Sequence, residues 1–173
     1  MSDDFYEQLS AQRKLSQTVG DTPPWYTTGG YQMYTTKYLY NANSISEQFM
    51  RIAATAAKHL PYQLSKKGFN KFYEMLWEGI LSPSTPVHSN MGTTRGYPIS
   101  CAGSYTGDSV YEFYQSKLET ALLTKMGFGT STYVGDVRPR GSLFNGGGTA
   151  SGVVPLLASF VNDTQLVSQG SNR

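Results

Sequence analysis

A helical rhythm of apolar positions first becomes clear after residue 44. Phe49, Ile52, Ala53, Ala56 and Leu60 recur at the spacing that gathers side chains on one face of an α-helix. Ser44-Ile45-Ser46-Glu47 stands just ahead of them and has the form of a capping box, in which a serine and a glutamate satisfy free amides of the first turn. A second helix is expected over residues 66 to 79, with Phe69, Phe72, Leu76 and Ile80 on one face. A third takes its apolar side from Val110, Phe113, Leu118, Ala121 and Leu122, with Asp108 as its expected cap and Gly127 as its stop. A fourth begins near residue 154 with Leu156, Leu157, Phe160 and Val161, and Pro155 is tolerated in its first turn. Short strands are expected at PISCAG, around Cys101, and at TSTYVGDV, residues 130 to 137. Residues 1 to about 42 are polar and aromatic, and TPPWYTTGGYQMYTTKYLY reads as turns with a short extended piece.

Helices alternating with short strands make the class α/β or mainly α with interspersed strands. The chain divides at a loop into a mainly helical region, residues 1–80, and a second region, residues 81–173. The loop, LSPSTPVHSNMGTTRGYPISC, is rich in Ser, Thr, Pro and Gly and ends on Cys101, the only cysteine of the chain. Loops of about 20 residues without secondary structure usually serve a site. The glycine-rich SLFNGGGTASG, residues 142 to 152, is a second, flexible loop. Ending in the polar turn SQGSNR, with no closing element, leads to the expectation that more of the fold lies outside the chain.

Composition narrows the function classes. An apolar share of 39%, with 13% aromatic residues, argues against disorder. A net charge of +2, from 14 basic and 12 acidic residues, is too balanced for a polyanion-binding surface, so no nucleic-acid partner is expected. Apolar runs are only a few residues long, so no membrane span is expected, and the acidic start MSDDFYEQLS is no secretory signal. One cysteine makes no intrachain disulfide, which fits a cytoplasmic setting, and no His/Cys cluster has metal-ligand spacing.

Each motif alone has an ordinary explanation. A solitary cysteine is more often inert packing than chemistry. Gly127-Phe128-Gly129 and Gly146-Gly147-Gly148 have backbone amides suited to phosphates but match neither a Walker nor a dinucleotide fingerprint, so loop flexibility accounts for them. Arg138 and Arg140 are spaced as residues on one strand face, where solvation explains most such pairs. His59 and His88 have no companions and read as ordinary, and Trp25-Tyr26 and Trp77 read as core.

Taken in order, LSPSTPV, RGYPISC, GDS, a G-x-G turn, DVRPRGS and SQGSNR resemble the large catalytic subunit of ribonucleotide reductase. The resemblance runs from about Gly20 to Arg173 and is strongest through residues 81 to 142. It implies that residues 81–173 form the first part of a ten-stranded α/β barrel, incomplete without a partner chain. It places Thr85, Ser100 and the Gly129 amide at the diphosphate and ribose of a ribonucleoside diphosphate. Cys101 falls at one of two reducing cysteines that end as a disulfide in a thioredoxin- or glutaredoxin-dependent cycle. Asp108 and Arg138 align with residues that hold a deoxynucleoside triphosphate or ATP effector. Gln169, Gly170, Ser171, Asn172 and Arg173 resemble the start of the specificity loop, which relays effector identity to the substrate base.

The resemblance further implies partners. The radical-forming cysteine and the second reducing cysteine are unmatched, as is the ATP-binding cone of many members. The expected assembly therefore contains the C-terminal part of the large subunit, a homodimer of the assembled large subunit, and a small subunit whose metal generates the radical. No cofactor or metal is expected on this chain itself. Split reductase genes of this kind are familiar in bacteriophages, which places the protein in a host cytoplasm. The alternatives are a non-catalytic nucleotide-binding module, a truncated chain that keeps only the effector region, and a glycyl-radical relative.

Overall fold

The computed structural model describes residues 3–168. They form two compact units, Met1–Pro98 and Ile99–Arg173. Residues 81 to 98, which the sequence reading groups with the second region, belong to the first unit.

The first unit is helical. Its elements are α1 (Asp3–Thr18), α2 (Thr28–Met33) continued by a π-helical turn (Tyr34–Tyr38), α3 (Ile45–Ala57), α4 (Tyr62–Trp77) and the short α5 (Thr85–Asn90). The expected cap of α3 is present: Ser44 Oγ accepts from the Glu47 amide at 3.1 Å, and Glu47 Oε2 accepts from the Asn43 amide at 2.6 Å. Of the expected apolar face Phe49, Ile52 and Ala53 are buried, but Ala56 is half-buried and Leu60 lies beyond the end of the helix; Ile45 and Ala57 complete the buried face instead. Ile45, Phe49 and Ile52 pack with Tyr26, Tyr34 and Leu76 into one core, against which Tyr73, Trp77, Val87 and Met91 are partly buried. Burying a side chain of this size contributes roughly 1.5–3 kcal/mol.

Three further expectations fail in this unit. Residues 3 to 42 are largely helical rather than turns and an extended piece. Helix α1 has little apolar periodicity because polar side chains tie it down. Gln17 Nε2 donates to the Pro23 and Pro24 carbonyls, each at 3.0 Å, and Arg13 Nη1 donates to the Tyr26 carbonyl at 2.8 Å. The Ser/Pro/Thr loop is not irregular throughout either, since it contains α5, with proline in its first turn. Proline there has its φ already set for a helix and lacks only an amide that would find no partner. Of the aromatics assigned to the core, Tyr26 is buried, but Trp25 is half exposed and donates its Nε1–H to the Trp77 carbonyl at 2.6 Å.

The second unit is built on a strand–helix–strand crossover. Strands β1 (Cys101–Tyr105) and β2 (Gly129–Tyr133) pair in parallel, in a register that sets Cys101 opposite Gly129 and Tyr105 opposite Tyr133. The connection is α6 (Val110–Lys125), because parallel neighbours need a long crossover. Gly127, at φ +93°, ends the helix as expected. The glycine-rich segment is pinned by an antiparallel bridge between Leu143 and Thr149, and α7 (Val153–Ser168) follows.

Here the expected apolar face is wrong. Leu118 and Leu122 are 61% and 51% exposed. Instead α6 meets the strands through hydroxyl groups: Ser116 with Thr106 at 2.6 Å, Thr120 with Ser104 at 3.5 Å and Thr124 with Thr130 at 3.1 Å. Ser116, Thr120 and Thr124 are four residues apart and share one face, so the helix has a second stripe that hydrophobicity does not register. The expected strand 130–137 stops at Tyr133. Arg138 therefore lies in irregular backbone and Arg140 in a turn, not on a strand face. The helix cap also differs: Ser109, not Asp108, accepts from the Glu112 amide, at 3.2 Å.

Candidate functional site

Cys101 opens β1, and alternation along the strand gives it the same face as Gly103 and Tyr105. All three are exposed, as are Ser131 and Tyr133 on β2, while the opposite face is the one that α6 covers. The thiol is free, and Sγ lies 3.8 Å from Ser100 Oγ. At the other end of this face Tyr105 and Tyr133 stack with ring centres 6.0 Å apart. The Tyr105 hydroxyl donates to Asp136 at 2.6 Å, and that bond to a carboxylate raises its pKa. The Gly129 amide, expected to face a ligand, donates instead to the Ser100 carbonyl at 2.7 Å. It is part of the ladder that fixes Ser100 and Cys101.

Asp108 and Arg138 come together from positions 30 residues apart. The Arg138 amide donates to Asp108 Oδ1 at 3.0 Å, and Nε donates to Oδ2 at 2.6 Å. The amide bond, and after it the guanidinium, holds the Asp108 carboxyl below its ordinary pKa. This engagement is why Asp108 does not cap α6. The guanidinium also lies over the Phe144 ring, 5.3 Å from its centre. Both residues line a cleft of about 400 Å³ with Phe113, Lys117, Phe144 and Leu156. Across it Lys117 of α6 pairs with Asp163 of α7 at 3.1 Å. The cleft thus offers apolar walls, suited to a flat apolar body, and two cations that are each already paired with a carboxylate, so an anionic ligand would have to share or displace those pairs.

Thr85 lies apart from these groups in the chain, as the half-buried first residue of α5 in the helical unit, where its carbonyl accepts from Ser89 Oγ at 3.0 Å. Gln169, Gly170, Ser171, Asn172 and Arg173 lie outside the described residues. No cluster of metal-binding side chains occurs among the described residues, and no helix among them is long and apolar enough to cross a membrane.

Sequence reasoning missed His88. Its Nδ1 lies 2.9 Å from the Tyr34 hydroxyl, and its ring lies among Tyr34, Tyr38 and Phe49. Burial pushes its pKa down to about 4. The available signal was Gln48, a polar residue on the apolar face of α3 that is 0% exposed and must therefore have buried partners.

Residues 25–96 match the family model described as ribonucleotide reductase, all-alpha domain. The large chain 2 of ribonucleoside-diphosphate reductase from Saccharomyces cerevisiae is 24% identical over 178 residues, covering 100% of this chain and 20% of the yeast protein. The vitamin B12-dependent ribonucleoside-diphosphate reductase of Thermoplasma acidophilum is 29% identical over 126 residues, covering 72% of this chain and 15% of its own. Among solved structures, the class Id ribonucleotide reductase alpha subunit of Actinobacillus ureae superposes with a TM-score of 0.70 at 34% identity, over 84% of this chain and 27% of that one. The chain spans 20% of the length of the yeast relative and 15% of that from Thermoplasma acidophilum, a small part of either. A helical unit that matches the family model, with a parallel crossover led by Cys101 after it, places this chain in the ribonucleotide reductase large-subunit family, as an N-terminal part of such a subunit.

Proposed function

We propose that the chain supplies the substrate and effector regions of a ribonucleoside-diphosphate reductase, completed by further large-subunit sequence that closes a ten-stranded barrel. Cys101 is one of two reducing thiols. In the net step the ribose 2′ C–O bond breaks, a C–H bond replaces it, water leaves, and two thiols become one disulfide. The chain has one cysteine, so the second thiol comes from the remaining reductase sequence, and thioredoxin or glutaredoxin returns the disulfide to thiols. The radical that starts the reaction comes from a separate metal-containing subunit. Thr85 and Ser100 contact the ribonucleotide, and Gly129 acts by holding Ser100 and Cys101 in register.

The observation that carries this reading is the exposure of Cys101 at the head of a parallel strand. Free cysteines that only fill space are among the most buried residues, and parallel sheets are ordinarily covered on both faces. An exposed thiol on an uncovered face of such a sheet fits a catalytic role better than a packing role.

Asp108 and Arg138, in the cleft with Lys117, hold a deoxynucleoside triphosphate or ATP, and Gln169–Arg173 begin the loop that reports on it. The exposed Tyr111, Tyr114, Leu118 and Leu122 of α6, with Val154, Leu157 and Val161 of α7, are the face on which two assembled large subunits pair. A non-catalytic nucleotide-binding module remains the second reading, because the cleft is formed without any contribution from Cys101.

The test is co-expression with a chain carrying the remaining barrel and its cysteines, assayed with the radical-generating subunit. Cys101→Ser should leave the complex intact and abolish sustained deoxynucleotide formation. Turnover at the wild-type rate would remove Cys101 from the mechanism and favour the binding module.

A further inference from the structure

The hydrogen bonds beneath α5 run in one direction, and their polarity is set by a backbone amide. The Tyr40 N–H, which can only donate, gives its proton to Gln48 Oε1 at 2.9 Å. That fixes the Gln48 carboxamide, whose Nε2 then donates to the Tyr38 carbonyl and to the Tyr34 hydroxyl, each at 2.9 Å. Tyr34 is 3% exposed, and its hydroxyl, already accepting from Gln48, sends its own proton to His88 Nδ1 at 2.9 Å. Gln48 and His88 are the partners of this buried hydroxyl and Gln48 is already a donor to it, so the hydroxyl's one proton is satisfied when Nδ1 accepts it, which puts the imidazole proton on Nε2. The ring also hydrogen-bonds with the backbone of Pro83, two residues before Thr85. Tyr38 stacks on the imidazole with ring centres 6.4 Å apart.

A second contact holds the same short helix at its end. Arg51 of α3 donates from Nη2 to the His88 carbonyl and from Nε to the Met91 carbonyl, each at 3.0 Å. Its Nη1 bonds to the Tyr40 and Asn41 carbonyls. Helix α5 is therefore held before Thr85 through Pro83, after Thr85 through the His88 ring, and at its C-terminus through Arg51. An isolated helix of this length would not be stable in water.

We propose that His88 is a positioning residue: as the neutral Nε2–H tautomer at the end of this relay, it fixes α5 and thereby the placement of Thr85 toward the ribonucleotide. The inference rests on the reductase reading for the role of Thr85. It predicts a binding effect and not a chemical one, because His88 acts through a group that orients substrate.

The experiment has three parts. In the wild-type full chain, in its purified assembly, the His88 ¹⁵N shifts at pH 7 should show Nε2 protonated and Nδ1 bare. The Nδ1–H tautomer or the imidazolium would overturn the relay. Tyr34→Phe should speed amide exchange at Val87, His88 and Met91 at least about tenfold and leave the α4 interior unchanged; equal exchange would also overturn it. In the complete reductase, His88→Leu should raise the ribonucleotide KM about tenfold, the size of one buried hydrogen bond, with kcat within about twofold. His88→Asn, which offers an acceptor near the Nδ1 position, should recover most of that loss. A working reductase whose KM ignores both substitutions, or in which Asn is no better than Leu, overturns the inference alone. A wild-type assembly that reduces no ribonucleotide overturns the reductase reading and Thr85's role with it, while the exchange result still reports on the relay.

Discussion

In the helical unit Tyr34, Ile45, Phe49 and Leu76 bury one another, whereas in the crossover unit α6 meets its sheet through Ser116, Thr120 and Thr124. The contrast separates two ways of specifying a structure. Apolar burial contributes roughly 1.5–3 kcal/mol per large side chain but has little directionality. A hydroxyl pair nets only about 1 kcal/mol, yet it fixes which residues face each other. The apolar side chains that the crossover unit does not use inside it, Leu118 and Leu122 among them, remain at its surface. The helical unit is thus organised around a connected apolar core, whereas the crossover unit leaves Leu118 and Leu122 of α6 exposed and aligns the helix by hydroxyl pairs.

The largest expected difference between the units is the cost of truncating an apolar side chain. Phe49→Ala should destabilise the helical unit by about 3–5 kcal/mol in urea denaturation. Leu122→Ala should change the stability of the crossover unit by no more than about 0.5 kcal/mol. Equal losses would mean that the exposed face of α6 is covered by its own unit after all.

The next effect is specific to the helical unit and depends on pH. Burial lowers the His88 pKa from 6.5 to about 4. The unfolded chain binds a proton near pH 6.5 and the folded chain does not until about pH 4, so between those values the unfolded state holds more protons. Stability is full above pH 6.5 and falls as the pH drops to 4, by up to roughly 3 kcal/mol. Tyr34 and Tyr26, whose pKa values burial raises, stay neutral across that window, and Arg51 stays charged. Denaturation curves of His88→Asn should lack most of this slope, and a slope equal to that of the wild type would assign it to other groups.

The smallest effect should be common to both units. Ser44 caps α3 and Ser109 caps α6 by the same contact to the amide three residues on. Replacing either with Ala should cost about 1 kcal/mol, read from amide exchange in the first turn of the helix concerned. A loss at Ser109 well below that at Ser44 would show that the α6 terminus is held mainly by the Asp108–Arg138 pair beside it.

What the sequence determined by itself is what neighbouring residues decide. The cap of α3 and the Phe49, Ile52 and Ala53 part of its buried face, the stop at Gly127 and a short strand around Cys101 each depend on residues within a few turns of one another. Only the tertiary structure decided the rest. Helix α1 is held by Gln17 and Arg13 reaching backbone carbonyls beyond its end, so no apolar stripe announces it. Asp108 leaves the helix cap to Ser109 because Arg138, 30 residues away, provides both an amide and a guanidinium. His88 reads as ordinary until Tyr34, 54 residues earlier, is brought within 2.9 Å of it. Periodicity and capping are local, since a helix repeats every 3.6 residues and its free amides are satisfied within one turn. The polarity of a buried hydrogen-bond chain is a property of every group in it, so it exists only once α3, α5 and the π-helical turn have packed together.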